Sequence, residues 1–216
     1  MPRKVGIIGS GPVGQALGKA FCTLGYDVKI SSRTPNSDKL KAWISEVGGK
    51  ASAGTFAEAA AHGDTLVLAT LGMGTEQAID LAGPEKFAGK TVIDATNQLD
   101  FSKGMPPGLL FQINDSLGER IQRKLANARI VKCFNTVPNS QMFKPKLKDA
   151  EMLICGNDPS AKKETETILK EFGWSGAIDI GRIENSNWLE AMVPLWVRAA
   201  SAKGNWNSFF VLTGHS

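Results

Sequence analysis

The amino-acid sequence predicts a doubly wound parallel α/β sheet with a small C-terminal α/β extension ending in an apolar helix. Three observations carry that expectation. Short apolar runs alternate with amphipathic helical stretches through the first two thirds of the chain, the pattern of strand–helix–strand crossovers. The apolar run Val5–Ile8 leads straight into a glycine-rich turn, Gly9-Ser10-Gly11-Pro12-Val13-Gly14. Beyond about residue 138 the rhythm changes, and the last helical stretch is apolar almost all round.

Lys4–Gly9 reads as the first strand, and Val13–Leu24 as a helix stopped by Gly25. Asp27–Ser32 is the second strand and Ser37–Val47 a helix. A weak third strand, Lys50–Ala53, precedes a short helix, Phe56–His62. Thr65–Thr70 is the fourth strand, Thr75–Leu81 is helical, and Lys90–Ala95 is the fifth strand. A long loop with Gly and Pro runs from Gln98 to Asn114, before a helix at Leu117–Ala126 and a sixth strand at Arg129–Phe134. Strands at Ala150–Cys155 and Ala177–Ile180 and helices at Ala161–Phe172 and Asn187–Lys203 complete the chain, with an apolar tail at Trp206–Leu212. Residues 1–138 are thus expected to form a dinucleotide-binding domain, and residues 139–216 a part packed tightly on it.

Composition narrows the function classes. The 216 residues are 42% hydrophobic and 21% charged, enough for an ordinary soluble core. A formal charge of +4, spread along the chain, argues against a nucleic-acid partner. No segment is long and apolar enough for a membrane span, since Pro194 and Arg198 break the longest stretch. Met1 leads within a few residues into a strand, so no signal peptide is expected. Cys22, Cys133 and Cys155 form no CxxC pair and read as reduced thiols, pointing to the cytoplasm. No residue pattern suggests a metal site.

The turn fits G-x-G-x-x-G in the context that gives this pattern meaning: a strand feeds it and a helix leaves it. Gly9 permits the tight turn, Gly11 lets backbone approach a pyrophosphate, and Gly14 lets the helix pack closely on the strand. Free backbone N–H groups and the positive helix end then face the anion. Pro12 suits the first helical position. At the end of the second strand, an acid would hold a ribose 2′-hydroxyl. The chain instead reads Ser31-Ser32-Arg33-Thr34. A carboxylate would repel a 2′-phosphate, whereas an arginine and hydroxyls bind it. The expected cofactor is therefore NADP(H).

These stretches, with Val92–Asn97 (VIDATN), Ile130–Pro138 (IVKCFNTVP), Ile154–Asn157 and Glu190–Leu195 (EAMVPL), resemble the NADP-dependent oxidoreductases that use the deazaflavin coenzyme F420. The same family domain occurs in the cytosolic part of six-transmembrane metalloreductases. The resemblance implies a Rossmann domain, a small C-terminal part and a homodimer. It implies that Ser10, Gly11, Pro12 and Val13 touch the pyrophosphate and that Ser32 and Arg33 hold the 2′-phosphate. Thr70, Leu71 and Asn97 would line the nicotinamide side. Phe134-Asn135-Thr136 stands where the deazaflavin enzymes commonly have Leu-His-Thr, and is closer to the metalloreductase version that passes hydride to a flavin. The acceptor is therefore open between F420 and FMN or FAD.

Ligands of such sheets bind beyond the carboxyl ends of the strands. Thr70, Asn97 and Asn135 fall at the ends of strands four, five and six and are expected to converge there. No acid/base residue is expected: His62 ends a surface helix, His215 is next to the C-terminus, and Tyr26 is far from the crevice. Alcohol dehydrogenation needs a group that moves the hydroxyl proton. Hydride exchange with a ring acceptor needs mainly positioning. The leading expectation is an NADP(H)-dependent oxidoreductase; the alternative is a non-catalytic NADP(H)-sensing protein. Trp188, Leu189, Met192, Val193, Leu195, Trp196 and Val197 make the last helix apolar, so it belongs in the core or a dimer contact.

Overall fold

The computed structural model describes residues 3–109 and 115–212. Strand β1 (Lys4–Ile8) turns into α1 (Pro12–Thr23), followed by β2 (Asp27–Ser31), α2 (Asp38–Val47), β3 (Ala51–Gly54) and α3 (Phe56–His62). The second half-sheet starts with β4 (Thr65–Leu68), α4 (Gly72–Ala82) and β5 (Thr91–Asp94). A small antiparallel ladder, β6 (Leu99–Asp100) with β7 (Gly108–Leu109), precedes α5 (Leu117–Lys124) and β8 (Arg129–Lys132). The chain closes with β9 (Glu151–Gly156), α6 (Pro159–Glu171), β10 (Gly176–Asp179) and α7 (Ser186–Lys203).

The main sheet has the order β10-β9-β8-β5-β4-β1-β2-β3. Strands β3 to β8 in that order are parallel, β9 runs antiparallel to β8, and β10 runs parallel to β9. The C-terminal strands thus extend the same sheet. Four elements differ from the sequence expectation, the loop after β5 and the strands β4, β5 and β8. The long loop after β5 carries the β6–β7 ladder; its Leu110–Asn114 portion, like His215, lies outside the described residues. Strands β4, β5 and β8 leave the ladder one or two residues before their apolar runs end. Ala69–Thr70, Ala95 and Cys133–Phe134 therefore belong to the loops at the carboxyl edge, which is where the site forms.

Alternation along the strands builds two apolar layers. Val5, Ile7, Val67, Ile93 and Val131 pack against one face with Leu17 and Phe21 of α1, Trp43 of α2 and Ile168 of α6. Ile8, Leu66, Leu68, Val92 and Ile130 pack on the other with Ala59 of α3, Ile79 of α4 and Ile121 of α5. Gly6 allows α3 to lie close on β1, since a Cβ there would stand 2.1 Å from the Ala59 carbonyl oxygen. Aromatic packing ties the C-terminal part to the first layer: Phe172 stacks edge-on to Phe21 and Phe143, 4.8 and 5.4 Å between ring centres, and also meets Phe134. Among the described residues no helix is long and apolar enough to cross a membrane.

Polar groups at the amino edge are consumed structurally. Thr65 and Thr91 both donate to Glu164 of α6 at 2.6 Å. Tyr26 donates to Glu171, and burial together with that carboxylate pushes its phenol pKa up. His62 lies 3.1 Å from Asp27 at the start of β2, on the edge opposite the glycine turn.

Truncating the aromatic seam tests this packing. Phe172→Ala is expected to lower unfolding free energy by about 3–5 kcal/mol, the usual cost of emptying a phenylalanine site, in urea titrations followed by tryptophan fluorescence. A loss under about 1 kcal/mol would mean that the site collapses freely.

Candidate dinucleotide site

A cleft of about 520 Å³ opens at the carboxyl ends of β1, β2, β4 and β5. Its floor is the turn Gly9–Val13. Gly9 has φ +119, a left-handed backbone that L side chains rarely adopt. Gly14 must lack a side chain, because a Cβ would sit 2.2 Å from the Gly9 carbonyl oxygen. Gly11 is different: nothing lies within 4 Å of the position its Cβ would take. The space above Gly11 is open, and the first-turn N–H groups of α1 have no partners within the helix. No acidic residue stands in that turn. Pro12 occupies the first helical position, and Ser10 accepts a bond from Gln15 through its carbonyl.

Ser31 is buried and braces the turn from below. Its hydroxyl donates to the Ile7 carbonyl at 2.8 Å and accepts from Gly9 N–H at 3.1 Å. Ser32 lines the cleft and accepts from Thr34 N–H, while Thr34 stands behind it, off the lining. Arg33 is exposed and makes no ion pair among the described residues. Among the described residues it is the one charged side chain on the lining. A bare guanidinium beside a helix amino end favours an anion, so the residues present fit a pyrophosphate with a further phosphate at Arg33. The wall facing Arg33 comes from Phe56 of α3 and from Met73, Gly74, Gln77 and Leu81 of α4. Sequence reasoning missed these five, because they face the cleft only once the order β4-β1-β2 is known.

At the other end Thr70, Leu71 and Ala95 line the cleft. The Thr70 hydroxyl is 2.8 Å from that of Thr75. Leu71 is 79% exposed, a large apolar side chain offered to solvent. Gly72 packs against the backbone of Asn97, 2.3 Å from its carbonyl oxygen if a Cβ were added. Asn97 and Asn135 do meet: Asn135 Nδ2 donates to Asn97 Oδ1 at 2.9 Å, and Asn97 Nδ2 donates to the Asn135 carbonyl at 3.0 Å. Neither lies on the cleft lining itself. The turn that brings them together includes Phe134 at φ +66, a strained backbone for a large residue, costing on the order of 1–3 kcal/mol.

The larger omission of sequence reasoning is a buried charge cluster behind this pair. Asp94 and Lys132 are register partners at the ends of β5 and β8. Lys132 Nζ lies 2.9 Å from Asp94 Oδ2 and 2.8 Å from Glu190 Oε1, with all three side chains fully buried. Burial alone would lower the Lys132 pKa, but the two carboxylates outweigh it and hold the pKa above its ordinary value. Asp94 also accepts from Thr96 N–H and Oγ, and Glu190 from Leu117 and Gly118 N–H at the start of α5. The signal was present as charged residues inside three apolar segments, but it cannot be paired without the sheet order.

The sequence of residues 4–98 matches the family model described as NADP oxidoreductase, coenzyme F420-dependent. A solved structure of a candidate F420-dependent NADP reductase from Arthrobacter sp. FB24 is 35% identical and superposes with a TM-score of 0.93, covering 99% of this chain and 100% of that one. The chain belongs to this oxidoreductase family. A curated relative, the F420-dependent NADP reductase of Methanocaldococcus jannaschii, is 32% identical over 117 residues, 52% of each chain. Metalloreductase STEAP3 of Rattus norvegicus is 24% identical over 200 residues, 89% of this chain and 38% of that one. The matches thus span about half or less of these curated relatives. The oxidoreductase family model covers the glycine turn, Arg33, Thr70, Leu71 and Asn97, and stops before Asn135, Lys132 and Glu190.

Gly11→Val separates ligand space from fold. The side chain would enter open space, so circular dichroism and the melting temperature should hold. NADPH affinity in a fluorescence titration should fall sharply, because the side chain would occupy the space through which the backbone approaches a pyrophosphate. Unchanged affinity would place the dinucleotide elsewhere.

Proposed function

We propose that this protein binds NADP(H) in the cleft and exchanges a hydride with a ring acceptor, the deazaflavin F420 or a flavin (FMN or FAD), bound beside Thr70, Leu71 and Asn97. The observation that carries this reading is the charge content of the cleft: among the described residues Arg33 is its one charged side chain, and no carboxylate, histidine, lysine or tyrosine of theirs lines it. Such a site can hold phosphates and an uncharged ring. Among the described residues it has no acid/base group placed to move a hydroxyl proton, which alcohol and hydroxy-acid dehydrogenation requires. His62 and Tyr26 stand at the opposite edge of the sheet, engaged with Asp27 and Glu171.

Bound NADPH would supply the hydride from C4 of its nicotinamide. The chain's own contribution is position and exclusion. The turn at Gly9–Gly14 holds the pyrophosphate, and Arg33 with Ser32 holds the 2′-phosphate. Leu71 offers apolar surface to a flat ring, and the Asn97–Asn135 pair braces the loops that carry the lining residues Leu71 and Ala95. Catalysis by such residues rests on holding reacting carbons at roughly 3–3.5 Å. Coenzyme F420 is the acceptor named for the family and for the relatives at 32% and 35% identity, which favours it over a flavin. A homodimer belongs to the same proposal: α7 leaves Trp188 and Leu195 exposed seven residues apart on one face, apolar surface of the kind that marks an interface.

Two measurements test the reading. Arg33→Ala is expected to weaken NADPH binding by about 1.5–3 kcal/mol, the worth of hydrogen bonds to a charged group, and to leave NADH binding nearly unchanged. Equal wild-type affinities for NADPH and NADH would overturn the 2′-phosphate assignment. NADPH carrying deuterium at C4 should pass its label to the reduced deazaflavin, and His62→Ala should keep near-normal turnover. Label lost to solvent, or no turnover with F420, FMN or FAD despite tight binding, would remove the hydride-transfer proposal.

A further inference from the structure

The Lys132–Asp94–Glu190 cluster is too costly to be incidental, and its bonds lead to one end of the cleft. Asp94 fixes Thr96 through two hydrogen bonds. Thr96 lies between Ala95, which lines the cleft, and Asn97, which packs on Gly72 at the start of α4. Lys132 is followed by the strained Phe134 turn that delivers Asn135 to Asn97. Glu190 belongs to α7, whose preceding residue, Leu189, accepts the second hydrogen of the Asn135 amide at 3.0 Å. The bonds therefore close a ring through β5, β8 and α7 around the Asn97–Asn135 pair. Helix α7 needs an external tether at this point. Pro194 removes the N–H that would bond the Glu190 carbonyl, so the helix's own ladder is interrupted at the residue that carries the carboxylate. No bond of the cluster reaches the glycine turn or Arg33.

We propose that Lys132, Asp94 and Glu190 are positioning residues for the nicotinamide half of the cleft, with the buried ammonium clamping α7 and the ends of β5 and β8 so that the wall around Asn97 and Asn135 holds one geometry. This rests on the NADP(H) reading above. The clamp acts on the nicotinamide end and leaves the adenosine end untouched, so the two halves of the dinucleotide report on it separately.

The experiment compares wild type with Glu190→Ala and Glu190→Gln. Alanine leaves the Lys132–Asp94 pair charge-balanced but releases α7. Glutamine keeps an acceptor for the α5 N–H groups. Two ligands are titrated, NADPH and 2′-phospho-ADP-ribose, which lacks the nicotinamide. Glu190→Ala should bind the fragment within about twofold of wild type while the extra affinity of intact NADPH is lost. Where the wild type turns over, kcat should fall at least about tenfold, as expected for sub-ångström misplacement, and glutamine should restore at least half of both effects on a logarithmic scale. Hydrogen exchange should rise in α7 and the first turn of α5 and stay unchanged in α1. Parallel loss of fragment and NADPH binding would show a general fold staple and overturn the proposal, as would an alanine variant with wild-type NADPH affinity. Failure of the wild type to bind the fragment would instead overturn the NADP(H) reading. If the alanine variant does not fold, Glu190→Asp carries the test, since it keeps the charge but draws the carboxylate back from Lys132 and the α5 N–H groups: a selective loss on the nicotinamide side supports the clamp, and uniform or absent change refutes it.

Discussion

A fully buried ammonium sets terms that the surrounding chain must meet. Taking Lys132 out of water costs several kcal/mol, and leaving it unpaired would cost about 3–5 kcal/mol more than the paired state. It is satisfied from two directions at once, by Asp94 on the neighbouring strand and by Glu190 on the last helix. The second carboxylate brings the cluster to a net negative charge, and the amino end of α5 answers it with the Leu117 and Gly118 N–H groups. Each of these partners comes from a different part of the chain, so the pairing holds only when β5, β8, α5 and α7 are all in place. Exposed ion pairs such as Lys19–Glu46 carry no such demand, being worth well under about 1 kcal/mol in water.

The packing of α5 against α7 follows from this constraint. Gly118 leaves room for Ser186, where a Cβ would come within 2.6 Å of its hydroxyl oxygen. The Ser116 and Ser186 hydroxyls meet at 2.6 Å, and Asn187 donates to Glu119 at 2.8 Å. Pro194, unfavourable in a helix interior by about 3 kcal/mol relative to alanine, is tolerated because these contacts and the burial of Leu189, Val193 and Val197 hold the helix from outside. A helix held by tertiary contacts can be placed where its own ladder would not put it, and here it backs the Asn97–Asn135 pair.

The cleft divides its labour by charge. At the adenosine end, the α1 amino terminus and Arg33 make a positive surface, with no acid in the first turn of α1 to cancel it. At the other end the lining is uncharged and partly apolar, and the charges nearest it are buried behind the wall and paired. Anchoring strength is thus concentrated where the phosphates of a dinucleotide would lie. Ring chemistry would take place against neutral groups whose positions are fixed by hydrogen bonds.

Local physics determined much of this protein from the sequence by itself. The alternation of apolar runs and amphipathic helices dictated nearly every element, because strand and helix periodicity is a property of neighbouring residues. Gly9 and Gly14 were legible because only glycine fits those backbone positions, Gly11 because its place in the glycine pattern marks where a ligand approaches the backbone, and Arg33 because its place after β2 is fixed by counting along the chain. Tertiary structure alone decided the rest. It assigned Ser31 to bracing the turn, turned Phe56 and Gln77 toward the cleft, and paired Asn97 with Asn135. It also gathered Asp94, Lys132 and Glu190 into one buried cluster. The reason is that these roles depend on which strands are neighbours and on where α7 returns. Residues 38 to 96 positions apart carry no local trace of their pairing until the sheet order brings them within hydrogen-bond distance.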